Sequence, residues 1–238
     1  MKTVILAGGN GSRLGDLTRE KPKPMVEIGG IPLIVHIMNI YSNWGLRDFI
    51  VSAGYKCEVI ERYFSEHDYG WKVRVVNTGS HEETLTGGRI LGVKDYIDET
   101  FCMTYGDGVA DVNINALVEF HKKHGGLATA TAVHPDERFG LMRIDEEGLT
   151  VTAFSEKPIN RKKWINGGFF VLEKDVFDYI PDMGTAWERE PLEELVKKGQ
   201  LHAYKHEGFW KCMDTVKERD ELEELWNRSS VPWKVWGG

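Results

Sequence analysis

The chain opens on a short apolar run, Thr3 to Ala7, that ends abruptly in Gly8-Gly9-Asn10-Gly11. Such a run without alternation predicts a strand buried on both faces, and the glycines predict a tight loop at its end. Pro32 suits the first position of a helix, and Leu33, Ile34, Ile37, Met38, Ile40, Tyr41 and Trp44 recur at helical spacing up to Gly45, which predicts a helix covering the sheet. Further strand-like runs fall at 49–53, 73–77, 100–105 and 127–133, with helical patterns between them at 58–64, 89–96 and 114–124. Strand alternating with helix predicts an α/β fold with a doubly wound, mostly parallel, Rossmann-like central sheet.

The pattern changes in the second half. Residues 141–144, 150–155 and 168–172 read as strands joined by short polar turns, and only 175–180 and 187–198 look helical. This predicts a smaller β-rich portion laid against the sheet. A charged helix from Val216 to Asn227, with Leu222, Leu225 and Trp226 on one side, closes the chain before a tail rich in Pro and Trp. No repeat, low-complexity tract or linker interrupts the 238 residues, so a single domain spanning 1–238 is expected, its first 110 residues forming one half and 111–238 the other.

Composition narrows the function. The chain is 41% hydrophobic and 28% charged, ordinary for a soluble globular protein able to bury a sizeable core without disulfides. Its net charge of −7, with no basic run interleaved with aromatics, argues against nucleic acid as a partner. Cys57, Cys102 and Cys212 are an odd number without CxxC spacing, and no apolar run approaches a membrane span. A cytoplasmic protein with no membrane partner is the expectation.

The glycine loop invites a phosphate, since amides left exposed in a concave turn after a buried strand form an anion cradle. Two common versions fail on spacing. A dinucleotide fingerprint starting at Gly9 needs a glycine at position 14, which is Leu14, and Ser52-Ala53-Gly54-Tyr55 after the second strand offers no acid for a ribose hydroxyl. A Walker loop needs Gly-Lys-Ser/Thr, and the dipeptide Gly-Lys is absent from the sequence. What stands there is Leu6-Ala7-Gly8-Gly9-Asn10-Gly11-Ser12-Arg13-Leu14, followed by Lys21-Pro22-Lys23-Pro24-Met25. The prolines restrict their neighbours, so Lys23 is expected on a stiff, extended segment as a positioned cation. Asp111, Asn113 and Asn115 have the opening spacing of a calcium loop, but Ala116 and Lys122 occupy its glycine and bidentate-acid positions, which rejects it. His121/His124 and His202/His206 lack a metalloprotease pattern and read as packed or solvated histidines.

The loop and the Lys-Pro-Lys-Pro-Met segment resemble the signature of the sugar-1-phosphate nucleotidyltransferases. The branch most similar is that of the glucose-1-phosphate cytidylyltransferases, through Glu27-Ile28-Gly29-Gly30, Thr86-Gly87-Gly88-Arg89, Thr104 to Asp111, Ile165 to Leu172, Trp187-Glu188, Glu190-Pro191-Leu192, Phe209-Trp210 and Met213-Asp214-Thr215. The resemblance spans nearly the whole chain. One departure is a shorter stretch between Phe64 and Gly79, where that branch carries an inserted segment implicated in subunit contacts. A homo-oligomer is therefore left open.

The resemblance implies attack of a sugar 1-phosphate on the α-phosphorus of CTP with release of pyrophosphate, assisted by Mg²⁺. A phosphate monoester has a second pKa near 6, so its oxygen is already anionic and no general base is required. Cations, amides and metal ligands are what such a site needs. Arg13, Lys23 and Asp107 are the catalytic candidates, with Asp107 and Asp214 as metal ligands. Leu6, Ala7, Gly8, Gly9, Asn10, Gly11, Ser12, Thr84, Arg89 and Gly106 are expected around the nucleotide. Arg89 would face O2 and N3 of cytosine, an edge uracil does not share. Glu156, Lys157, Asn166, Gly167 and Glu188 are expected around the sugar phosphate. Alternatives are the same chemistry with another sugar 1-phosphate or with UTP or dTTP, and a nucleotide-binding regulatory module without turnover.

Overall fold

The computed structural model describes residues 1–136, 141–145, 150–155 and 162–237. In chain order its strands are β1 (Thr3–Ala7), β2 (Glu27–Ile28), β3 (Ile31–Pro32), β4 (Asp48–Ala53), β5 (Lys72–Asn77), β6 (Phe101–Tyr105), β7 (Gly108–Ala110), β8 (Ala128–Val133), β9 (Leu141–Ile144), β10 (Val151–Ser155), β11 (Ile165–Asn166), β12 (Phe170–Leu172), β13 (Leu201–Lys205) and β14 (Trp210–Cys212). The helices are α1 (Leu33–Asn43), α2 (Cys57–Glu66), α3 (Thr86–Leu91), α4 (Ile114–His124), α5 (Glu190–Lys197) and α6 (Val216–Trp226).

The central sheet runs β11-β8-β12-β6-β1-β4-β5, with β13 also on β8. Its β6-β1-β4-β5 half is parallel throughout, as the alternating pattern of the first half predicts. Burial on both faces explains the unbroken apolar runs. Ile5, Ala7, Val51 and Cys102 face one core, under α1 and α2, while Val4, Leu6, Ile50 and Met103 face the other, under α3 and α5. The β-rich second half is present, but most of it joins this sheet: β12 and β11 enter antiparallel, and β13 lies parallel to β8. The β9–β10 hairpin stands apart from it, as does β14, which pairs with β7. No helix among the described residues is long and apolar enough to cross a membrane.

Three short pairings escape a periodicity argument because two or three residues carry no readable pattern: β2–β3, β14–β7 and β11. The helical pattern at 187–198 resolves into a turn and α5, which starts with Pro191 in its first turn. Asn113 caps α4, its side-chain oxygen accepting from the Ala116 N–H at 2.9 Å, a capping role for one residue of the rejected calcium loop. The short stretch after Phe64 is a tight connection: α2 ends at Glu66 and β5 begins at Lys72.

Helix α1 is apolar on nearly every side because it is covered twice, by the sheet beneath and by the C-terminal tail above. Trp226, Trp233 and Trp236 close around His36, with ring centroids 4.7–6.1 Å from the imidazole. His36 is fully buried, which holds its pKa below the ordinary histidine value. Glu223 accepts the Gly29 N–H at 2.9 Å, so α6 is also tied to the β2–β3 turn that follows Lys23.

Trp233 is 0% exposed, and Trp233→Ala is expected to lower unfolding free energy by about 3–5 kcal/mol in a urea titration. A loss under about 1 kcal/mol would show that the tail is not part of the cooperative core.

Candidate active site

At the end of β1 the chain leaves the sheet toward β4 on one side, and its other neighbour, β6, ends at the same level, which puts the switch point between β1 and β6. Ligands in open α/β sheets bind there, outside the carboxyl ends of the strands. An open cleft of about 310 Å³ occupies that position, lined by the loop Leu6 to Arg13, by Lys23, Pro24, Thr86 and Arg89, and by Tyr105, Gly106, Asp107 and Asp214.

The loop holds its shape through its glycines. Gly11 has φ +63°, and a Cβ there would come within 2.9 Å of Thr18 and 3.0 Å of Lys23. The chain continues into a 3₁₀ segment, Ser12–Thr18, that carries the exposed Arg13. Lys23 opens a short 3₁₀ turn to Met25, whose N–H donates to the Pro22 carbonyl at 2.8 Å, instead of lying in an extended segment. The two flanking prolines brace it all the same.

Strand pairing explains why two distant acids meet. Strand β14 pairs antiparallel with β7, setting Cys212 opposite Gly108, and the Met213 N–H donates to the Asp107 carbonyl at 2.8 Å. Asp107 and Asp214 therefore reach the same point from opposite strands. The Lys23 ammonium sits between them, 2.6 Å from Asp107 Oδ2 and 2.6 Å from Asp214 Oδ1. Arg13 adds a second cation, its guanidinium 3.1 Å from the same Asp214 oxygen. Behind Asp214, Glu218 accepts the N–H groups of Asp214 and Thr215, each at 2.8 Å, and Thr215 completes a capping box at the start of α6.

Burial alone would lower the pKa of Lys23, but Asp107 and Asp214 outweigh it and raise the value above that of ordinary lysine. Burial would likewise raise Asp214, but Lys23 and Arg13 hold its carboxyl below the usual range. Lys23 and Asp214 each hold the other in its charged form. Two convergent carboxylates around a cation position fit a small, hard divalent ion, which commonly takes one or two carboxylates and finds its other ligands in water and phosphate. Among the described residues no third acid, histidine or cysteine joins them as a protein-only cage.

Arg89 is nearly fully buried. Its Nη1 donates to Ala53 O, Thr78 Oγ1 and Gly79 O at 2.8–3.2 Å, and its Nη2 to Gly8 O and Ser80 O at 3.3 and 3.1 Å. Both η nitrogens are committed to the loops around the cleft, so in this arrangement Arg89 braces the floor instead of presenting a free fork to a base edge. Thr84 is also buried, its hydroxyl donating to the Thr78 carbonyl at 2.7 Å, and does not line the cleft. Thr86, two residues on, takes that place.

On the other side, Glu188 Oε1 accepts from the Tyr105 hydroxyl at 2.6 Å and its Oε2 from the Thr86 hydroxyl at 2.5 Å. Asn166 Nδ2 donates to the Tyr105 oxygen at 3.2 Å, and the Gly167 carbonyl accepts from Trp210 Nε1 at 2.8 Å. Asn166 and Glu188 thereby flank the cleft through Tyr105 without lining it, and Gly167, bonded to Trp210, does not line it either. Glu156 and Lys157 lie outside the described residues. The glycines of Thr86-Gly87-Gly88-Arg89 have a packing reason: a Cβ at Gly88 would lie 2.0 Å from the Met183 carbonyl oxygen, so the loop bearing Glu188 can seat directly on α3. Tyr105 and Thr86 were legible only as neighbours of candidate residues, Tyr105 at a strand end before Gly106-Asp107 and Thr86 at a helix start.

Residues 2–219 match the family model described as "Nucleotidyl transferase". The chain is 45% identical over 260 aligned residues to the glucose-1-phosphate cytidylyltransferase of Salmonella typhi, covering 99% of this chain and 100% of that one. It is 43% identical over 259 residues to the "probable glucose-1-phosphate cytidylyltransferase" of Bacillus subtilis, covering 99% and 100%. Both alignments are longer than the 238 residues of this chain, so the relatives carry extra residues. Among solved structures, HddC from Yersinia pseudotuberculosis superposes with a TM-score of 0.75 at 25% identity, covering 95% of this chain and 99% of that one.

The charged node makes a pH-dependent prediction. Because the folded-state pKa of Asp214 is depressed, the stability it contributes is present above its ordinary value of 3.8 and is lost as pH falls through its lower folded value. Lys23→Met leaves two acids facing one another without their shared cation, and is expected to cost about 1.5–3 kcal/mol at pH 7. The gap to the unmodified protein should close in denaturant titrations at pH values below the ordinary carboxylate range. A gap of equal size at both pH values would contradict the pairing.

Proposed function

The chain belongs to the nucleotidyl transferase family, and from that premise we propose that it forms CDP-glucose and pyrophosphate from CTP and α-D-glucose 1-phosphate. The observation that carries the proposal is the convergence of Arg13, Lys23, Asp107 and Asp214 at the mouth of a glycine loop, in a chain 45% identical to a glucose-1-phosphate cytidylyltransferase along its full length.

The reaction joins two polyanions, so the protein has to align them and neutralise charge. An oxygen of the sugar phosphate attacks the α-phosphorus in line, a P–O bond forms, and the bond to the departing pyrophosphate breaks with its electrons remaining on that leaving group. The amides of Gly8, Gly9 and Gly11 cradle the nucleotide. Arg13 and Lys23 meet the charge that builds on the α-phosphate and on pyrophosphate. Asp107 and Asp214 would hold Mg²⁺. When bound, that ion would shield the repulsion between the two anionic substrates. In this reading residues 1–110 serve mainly the nucleotide and the remainder the sugar phosphate, where Asn166, Gly167 and Glu188 meet hydroxyls, with Glu156 and Lys157 assigned to the sugar phosphate from sequence alone. No nucleic acid enters the scheme.

Pyrophosphate release measured over four or five triphosphates against a panel of sugar 1-phosphates, with and without Mg²⁺, is expected to be fastest for CTP with glucose 1-phosphate and to require the metal. A faster pairing of another triphosphate and sugar would overturn the substrate assignment. Arg13→Ala and Lys23→Ala are each expected to lower kcat about 10²–10³-fold, the usual loss for one preorganised charge donor. Near-unchanged turnover would remove them from the machinery.

Arg89 has a separate expectation. As a brace of the floor, its replacement by Gln should lower kcat/KM for CTP and UTP together. A selective relaxation toward UTP at retained rate would instead restore the base-reading role.

A further inference from the structure

In the wall of the cleft, Tyr105 holds two side chains at once. A phenol has one proton, and here it is given to Glu188 Oε1 at 2.6 Å, which leaves the oxygen to receive Asn166 Nδ2 at 3.2 Å. The amide orientation is set by the network, because Asn166 Oδ1 accepts the Gly168 N–H at 2.9 Å and Nδ2 must then face the phenol. The other Glu188 oxygen is fixed by the Thr86 hydroxyl, which in turn accepts the Trp187 N–H at 2.9 Å. Both carboxylate oxygens are thus oriented, yet each keeps room to accept again, since a carboxylate has about four acceptor sites. Asn166 keeps its second Nδ2 proton.

The ring has little freedom. It meets Phe170 edge-on, with centroids 6.1 Å apart at 83°, and it passes so close to Gly168 that a Cβ there would lie 3.1 Å from Tyr105 Cδ2. Phe170 is itself backed by Trp187, the neighbour of Glu188. Tyr105 also stands two residues before Asp107, so one strand end sets the hydroxyl and the metal-side acid together.

We propose that Tyr105 is the positioning residue of the sugar end, holding Glu188 and Asn166 at a fixed spacing so that neighbouring hydroxyls of a hexose ring meet a carboxylate and an amide as one preformed unit. This rests on the reading of the cleft as a sugar-1-phosphate nucleotidyltransferase site. Tyr105 touches no reacting atom in this scheme. Its effect is on which sugar is held, and how tightly.

The test is Tyr105→Phe, which removes one oxygen and leaves the ring, together with Glu188→Gln and the double variant. Steady-state constants are measured separately for CTP and for glucose 1-phosphate, with galactose 1-phosphate and mannose 1-phosphate as epimers. Tyr105→Phe is expected to raise the KM for glucose 1-phosphate about tenfold, as for loss of one hydrogen bond to a charged group, while the KM for CTP stays within about twofold. The preference for glucose 1-phosphate over its epimers should narrow, and the double variant should lose less than the product of the single losses. Equal rises in both KM values, or strictly multiplicative losses, would overturn the proposal. Thr86→Val, which removes the other donor to Glu188 and leaves Tyr105 intact, should raise the same KM; an unchanged KM would also count against it. If Tyr105→Phe is unchanged while the unmodified enzyme turns over, only the role of Tyr105 fails. If the unmodified enzyme turns over no sugar 1-phosphate, the reading of the site fails and the proposal with it.

Discussion

One ammonium between two carboxylates organises this molecule. Lys23 comes from the segment after the first strand, Asp107 from the turn after β6, and Asp214 from the turn before the last helix, and they meet within hydrogen-bond distance. Two acids at such a separation repel unless a cation stands between them. Each element that supports the node can be understood by that need: the prolines that brace Lys23, the β7–β14 pairing that sets the acids opposite one another, and the capping box that fixes the backbone of Asp214. The same balance suits an enzyme handling triphosphates, because a lysine held by carboxylates in the free protein has a second set of anions to turn to when substrate and metal arrive.

The cleft is built from both ends of the chain, which gives the fold its functional unity. Arg13 bonds to Asp214, Thr86 bonds to Glu188, and α6 ties back to the turn after Lys23. The glycine-loop side and the Glu188 side of the cleft are therefore connected through α3: Thr86 holds Glu188 at the helix start, and Arg89 braces the glycine loop three residues later.

Much of this was legible in the residues. The unbroken apolar run at 3–7, the helical spacing after Pro32 and the long pattern at 114–124 identify their elements because each presents several residues to one environment. The glycine loop with Lys-Pro-Lys-Pro-Met pointed to a phosphate site with a positioned cation, and the nucleotidyl transferase family match agrees with the resemblance those motifs carry. What was not legible has physical reasons. Two- and three-residue strands such as β7 and β14 have no period, yet their pairing is what brings residue 107 to residue 214. Arg89 reads in sequence as a free guanidinium, and only the fold surrounds it with carbonyl oxygens. Thr84 and Thr86 are equivalent on paper; one is turned into the loop and the other into the cleft. Tyr105 offers no motif of its own, and its importance rests on partners 61 and 83 residues away.

The proposed role of this node is to receive the triphosphate and a divalent metal. A crystal structure with a non-hydrolysable CTP analogue and Mg²⁺ tests it most directly. The expected result is the metal on the carboxylates of Asp107 and Asp214, the phosphates along Gly8 to Arg13, and the Lys23 ammonium moved from at least one carboxylate onto a phosphate oxygen. A triphosphate bound elsewhere, with Lys23 still bridging both acids, would contradict it.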